Sequence, residues 1–248
     1  MMLKIGKITA ASPKEGIANR VLDEAQIVSF ATEADAYIAL QSADIQMITK
    51  PMAALKNPLP TGIVITAVSE RTNAGSILYI HPTAVGTGGG LSLKKGVRIR
   101  VHTLLEQVQL AAFDADWQVV LSGDADAYLE TENKDWKYEG FELFYLNPKE
   151  LIPIAGQGVI AYLSRKEDIS TRKILQTVHH AAVSACTNVE RTVQNLFFKK
   201  QPNRCIGAYC ERDAQANFHL WVCDWTGKTV RVSQNTHFGL AEAAFGQF

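Results

Sequence analysis

Ala25-Gln-Ile-Val-Ser-Phe30, Ala34-Asp-Ala-Tyr-Ile-Ala-Leu40 and Ile45-Gln-Met-Ile48 follow one another with only short joins. The first and third are apolar runs of strand length, and the middle one spaces its apolar residues as a helix does. Strand, helix and strand in that order bring two strands side by side in parallel through a crossover helix. Upstream, Leu3-Lys-Ile-Gly6 reads as a strand and Lys14 to Glu24 as a helix, which continues the alternating rhythm. Downstream, Leu59-Pro-Thr-Gly62 is a turn, and Ile63 to Val68 is the branched run of a sheet core. A second stretch of the same kind follows the glycine cluster Gly86 to Gly90: strand Val97 to Val101, helix Leu104 to Phe113, strand Trp117 to Leu121. Thr131 to Gly140 is polar and reads as a loop or hairpin, and Gly158 to Leu163 reads as a strand. Thr171 to Phe197 reads as one helix, and strands at Ile206 to Cys210, His219 to Cys223 and Thr229 to Val232 complete a small helix-plus-sheet region.

The chain has 248 residues, 47% of them apolar, with 25 basic and 25 acidic side chains. That composition describes an ordinary globular protein with room for two or three small domains. Zero formal charge argues against a nucleic-acid partner attracted by overall charge. No tract approaches the roughly 18 apolar residues of a membrane span, and the start does not read as a secretion signal. A cytoplasmic protein, a monomer without nucleic-acid or membrane partners, is the expectation. The four cysteines, Cys186, Cys205, Cys210 and Cys223, form neither a C-x-x-C pair nor a zinc spacing with histidine, and three of them are expected to be inert buried thiols.

Pro153-Ile-Ala-Gly-Gln-Gly158 is joined to Arg204-Cys-Ile-Gly-Ala-Tyr-Cys-Glu211 by a segment carrying His179-His180 and Glu190-Arg191. Blocks in this order and spacing resemble porphobilinogen deaminase, also called hydroxymethylbilane synthase, which polymerises porphobilinogen on the way to haem. Ala43-Asp-Ile45, Glu70-Arg71 and Phe113 to Ser122 also resemble blocks of that family. The resemblance implies two periplasmic-binding-protein-like α/β domains with parallel-rich sheets joined by two crossovers, plus a small α+β C-terminal domain. On that pattern residues 1–70 with 151–168 form domain 1, 71–150 domain 2, and 169–248 the last. The strand from Gly158 then returns to the first sheet.

The departures from the pattern fall on the groups that do the family's chemistry. Where the family has His-Ser-Leu-Lys-Asp, this chain places Pro51 at the lysine and Met52 at the catalytic aspartate. That aspartate steadies a cationic azafulvene, and losing one preorganised charge at such a centre costs roughly two to three orders of magnitude in rate. Asp44 and Glu33 are the candidate replacement acids for it. Val85-Gly-Thr-Gly-Gly89 stands where the family has Gly-Thr-Ser-Ser-Leu-Arg-Arg, without the two arginines, and Glu106 falls on another arginine position. The family's dipyrromethane cofactor hangs from a cysteine whose position is held here by Pro202. Cys205, three residues on, is the candidate displaced anchor for dipyrromethane, with a packed side chain as the alternative.

Binding is a separate matter from turnover. Porphobilinogen carries two carboxylates, so a site for it, or for another small carboxylated ligand, needs guanidinium forks and N–H groups. A period of two along Val97 to Val101 puts Arg98, Arg100 and His102 on one face and Val97, Ile99 and Val101 on the other. Lys94 and Lys95 precede that strand, and the amides of Gly88 and Gly89 lie in the loop before them; on the resemblance, Arg100 and Arg71 match positions that hold substrate. A solvated sheet face beside a glycine hairpin is the other reading of these residues. The glycine cluster lacks the lysine and hydroxyl residue of a phosphate-binding loop. His179 and His180 are adjacent and, on a helix, point about 100° apart, which does not suit a shared metal. Two readings therefore stand: an active transferase, or a catalytically degenerate homologue that binds a small carboxylated ligand or serves as an interaction module.

Overall fold

The computed structural model describes residues 3–8, 25–56, 58–88, 90–131 and 137–248. The expected helix Lys14 to Glu24 and the site candidate Gly89 lie outside them. Two compact units emerge: Met1–Asn73 with Gly156–Asn188, and Ala74–Ala155 with Val189–Phe248.

In chain order, the first unit begins with β1 (Lys4–Ile8), β2 (Gln26–Phe30), α1 (Glu33–Gln41), β3 (Met47–Pro51) and β4 (Ile63–Val68). The second unit supplies β5 (Ser76–Ile80), β6 (Arg98–Arg100), α2 (Leu104–Ala111), β7 (Gln118–Val120), β8 (Ala127–Glu130) and β9 (Glu142–Leu146). The chain then returns to the first unit for β10 (Ile160–Arg165) and α3 (Ile169–Gln176). After α4 (Ala181–Lys200) come β11 (Gly207–Arg212), β12 (Phe218–Cys223), β13 (Thr229–Gln234) and α5 (Leu240–Phe245).

The two larger sheets repeat one plan. The first has strand order β2-β1-β3-β10-β4 and the second β7-β6-β8-β5-β9. In the first, β1 is parallel to β2 and β3, while β10 runs antiparallel between β3 and β4. In the second, β6 is parallel to β7 and β8, while β5 runs antiparallel between β8 and β9. A parallel trio followed by an inserted antiparallel strand, used twice, is the periplasmic-binding-protein-like architecture. β10 therefore returns to the first sheet, as the family pattern implies. A third sheet, β11-β12-β13, is antiparallel throughout.

Local chemistry starts and stops these elements. Thr32 caps α1 by accepting from the Asp35 N–H at 3.1 Å, and Glu33 and Asp35 in the first turn suit the positive end of the helix. Thr103 and Glu106 form a reciprocal capping box at α2. The first sheet is buried on both faces: Ile48, Leu163 and Leu40 pack on one, Ile5, Met47 and Tyr162 on the other. In the second unit Val97, Ile99, Val101 and Leu129 are buried together.

The expected single helix from Thr171 to Phe197 is two helices with a break at 177–180. Val68 explains the break: its N–H donates to His179 Nδ1 and its carbonyl accepts from the His180 N–H, which draws the backbone out of helical pairing. The two histidines are thus not helical neighbours, and His180 Nδ1 accepts from the Val183 N–H at the start of α4. The strand expected at Ile45 to Ile48 runs later, over β3, because Ala43 turns through a left-handed conformation at φ 70° after α1. Gly156 and Gly158 of the quoted Gly-Gln-Gly run have φ of 79° and 75°; a methyl group on Gly156 would collide with Met52, and one on Gly158 with the Asn73 backbone.

Candidate functional site

Strands β6, β7 and β8 are parallel, so their carboxyl ends share one edge of the second sheet, the edge at which open α/β sheets bind ligands. β6 delivers Arg100 and then His102 to that edge, and α2 begins directly after them. β8 delivers Glu130. The alternation along β6 is realised: Ile99 is buried, Arg98 is exposed and Arg100 is half-buried.

Glu130 is 2% exposed. It accepts from the Tyr138 hydroxyl at 2.7 Å, pairs with His102 Nε2 at 3.0 Å, and lies 3.6 Å from Lys137 Nζ. Burial, and then the bond to Glu130, push the Tyr138 phenol up to about 12, with Arg100 pulling the other way. Tyr138 stacks on Tyr79 at 4.6 Å, and the Arg100 guanidinium sits 4.6 Å above the Tyr128 ring. A guanidinium over an aromatic face is held by the ring quadrupole, and Arg100 also reaches the Tyr138 hydroxyl.

A second carboxylate stands at the start of α2. Glu106 Oε2 accepts from the N–H groups of His102 at 2.9 Å and Thr103 at 2.8 Å. Cys205 lies in the segment before β11 and is exposed, whereas Cys186, Cys210 and Cys223 are buried. Desolvation by its surroundings and the charge of Glu106 push the Cys205 thiol above its ordinary range. A thiol in that setting is a weaker nucleophile at neutral pH than a free cysteine.

The remaining sequence candidates divide. Lys94 Nζ donates to the Thr83 carbonyl at 2.6 Å, and Lys95 pairs with Asp116 at 3.3 Å, so both are directed at neighbours within the second unit. In the glycine loop the N–H groups of Gly86 and Gly88 donate to Ser92. The Arg98 N–H donates to Asp126, and its residue is exposed. Arg71 belongs to the first unit. Glu130, Tyr138 and Tyr79 escaped the sequence reading because β5 and β8 were not recognised as strands. The signal was present in Ala127-Tyr-Leu-Glu130, where buried Ala127 and Leu129 alternate with Tyr128 and end on an acid.

In the first unit, Met52 is 2% exposed and packs with Leu55, Val159 and Ala161. Its N–H donates to the Val159 carbonyl, and Pro51 sits opposite Ile160 in the β3–β10 ladder. The neighbouring acids are committed elsewhere. Glu33 pairs with buried Lys50, and although burial pushes its carboxyl up, the hydrogen bond and charge of Lys50 outweigh this and hold it below the ordinary range. Asp44 accepts from the Ser42 hydroxyl at 2.6 Å. Among the described residues no group of three or more histidine, cysteine or acidic side chains is arranged to hold a metal.

No protein-family model matches the sequence. Curated porphobilinogen deaminases do. The protein of Exiguobacterium sibiricum is 28% identical over 167 residues, 60% of this chain and 52% of its own length. That of Staphylococcus carnosus is 35% identical over 158 residues, 62% of this chain and 44% of its own. That of Blochmanniella floridana is 45% identical over 78 residues, 24% of its own length. The chain thus spans about half the length of the first two relatives it matches. Among solved structures, an arginine-transport periplasmic binding protein from Legionella pneumophila covers 72% of this chain and is itself 92% covered, with a TM-score of 0.37 and 14% identity. The resemblance read from the motifs stands, and with it the similarity to porphobilinogen deaminases.

Proposed function

We propose that this chain is a porphobilinogen-deaminase-like protein that binds a small carboxylated pyrrole at the carboxyl edge of its second sheet and does not polymerise it. One observation carries the reading. The position matched to the catalytic aspartate is Met52, an apolar side chain packed in a core at 2% exposure, with Glu33 and Asp44 both committed to other partners. Methionine has no charge to set against a cationic intermediate. Recognition groups persist: Arg100 over Tyr128, and His102 held by buried Glu130. A guanidinium fork and a neighbouring imidazole N–H together suit a ligand with two carboxylates. Arg98, exposed on the same strand as Arg100, stays in the proposal as a further cation of that face. The cytoplasm, a monomeric state and the absence of a nucleic-acid partner complete it; no helix among the described residues is long and apolar enough to cross a membrane.

The second reading, an active transferase in tetrapyrrole biosynthesis with dipyrromethane on Cys205, draws on the exposed thiol beside Glu106. One experiment separates the two. Intact mass and the aldehyde colour test on freshly purified protein are expected to find no dipyrromethane, and porphobilinogen is expected to bind by calorimetry without being consumed. Arg100→Ala should weaken that binding by about tenfold or more, the worth of a charge-assisted hydrogen bond. A dipyrromethane adduct on Cys205 with consumption of porphobilinogen would establish the transferase instead.

A further inference from the structure

The third sheet carries a three-residue relay that plays no part in the pyrrole site. His219 on β12 stands opposite Ser233 on β13. Its Nδ1 lies 2.7 Å from the Ser233 hydroxyl, and its Nε2 lies 2.9 Å from Asp213 Oδ2. Asp213 is fixed in turn: its oxygens accept from the Asn217 backbone N–H at 2.8 Å and side-chain amide at 3.2 Å. The His219 hydrogen bond foremost, and then the Asn217 bonds, hold the Asp213 carboxyl down at about 2, so it is ionised and only accepts.

The tautomer follows from that. An ionised Asp213 requires His219 Nε2 to carry the proton, which leaves Nδ1 of the neutral ring as an acceptor. Ser233 must then donate its hydroxyl proton to Nδ1, the arrangement in which an imidazole withdraws a proton from a serine. Exposure runs in the matching direction: the side chains of His219 and Asp213 are 17% and 26% exposed, whereas Ser233 is open to solvent. Arg231, two residues earlier on β13 and so on the same face, adds positive charge there, with its guanidinium 5.0 Å from the Trp221 ring.

We infer that Ser233, His219 and Asp213 form a nucleophilic site that cleaves small acyl esters. Ser233 Oγ bonds to the ester carbonyl carbon while its proton passes to His219 Nδ1. The carbon–alkoxy bond breaks, and the leaving alcohol takes that proton. Water then adds to the acyl-serine, giving a proton to Nδ1. The Oγ–carbon bond breaks, the carboxylic acid departs, and the proton returns to Ser233. Asp213 stabilises the imidazolium in both halves.

A fluorophosphonate probe on the full chain tests this, with peptide mass spectrometry locating the adduct and p-nitrophenyl acetate as substrate. The expected result is one adduct, on Ser233, absent in Ser233→Ala, with His219→Gln slowing labelling about 100-fold or more. Ester hydrolysis is expected to fall with labelling, and circular dichroism of each variant checks that it folds. Absence of label on the unmodified protein, label on another residue, or equal hydrolysis by unmodified protein and Ser233→Ala would each overturn the inference and leave the array as a clasp between strands. The unmodified-protein result needs no variant to fold.

Discussion

Met52→Asp restores the acid that the family pattern calls for, and the structure says that the substitution should fail. Fully burying a methionine side chain stabilises by about 1.5–3 kcal/mol, and an aspartate recovers little of that. At 2% exposure among Leu55, Val159 and Ala161, with Glu33 already paired to Lys50, the new carboxyl gains no cation and must be neutral in the folded state. Burial raises such a pKa by roughly 3–5 units, so at about pH 7 keeping the proton costs about 4 kcal/mol against an unfolded value near 3.9. The sum, about 5–7 kcal/mol, approaches the whole stability of a typical domain. The sign with pH is fixed: a folded pKa above the unfolded one means that the protonation part of the deficit is small below about pH 4 and grows as pH rises, by about 2.7 kcal/mol between pH 5 and pH 7. Urea unfolding of Met52→Asp beside Met52→Leu, which should cost under about 1.5 kcal/mol, measures it. A Met52→Asp protein that loses less than about 1 kcal/mol, with no pH dependence, would mean that position 52 faces solvent, and the argument against turnover would collapse. Porphobilinogen consumption by that variant would refute the expectation that a carboxyl cannot be accommodated at position 52.

Gly156→Ala should cost more than about 2 kcal/mol in chemical denaturation, because φ is 79° and the added methyl group meets Met52; Met52→Ala in the same chain should recover only the steric part. Cys205 should alkylate with iodoacetamide more slowly than a free cysteine near neutral pH, and Glu106→Gln should speed it by lowering the thiol pKa, as read by mapping of the modified peptide. His219→Gln should return the Asp213 carboxyl from about 2 toward its ordinary value in a carbon-detected NMR titration. In the unmodified protein the stabilising effect of that depressed carboxyl is present above about pH 4 and is lost as pH falls toward 2. Glu130→Gln should leave His102 without its anionic partner and weaken porphobilinogen binding by calorimetry; unchanged affinity would separate the His102–Glu130 pair from the site.

Periodicity, glycines and caps are local, and the sequence by itself determined what they govern. The α/β class, β4, β6, β7, the three-stranded sheet and the split of apolar and basic residues along β6 were all legible there. So was the resemblance to porphobilinogen deaminases, because Gly156 and Gly158 answer to φ and close approach, demands that only glycine meets. Long-range pairing was not legible. The break before α4 depends on Val68, distant in sequence, and which strands β5 and β8 pair with is set only by the assembled sheet. Glu130 becomes a site residue only because β8 ends beside β6, placing a buried carboxylate against His102. Met52 stood out in the sequence by its matched position, but not by its surroundings: burial is a property of what packs around a side chain, and tertiary structure alone decides it.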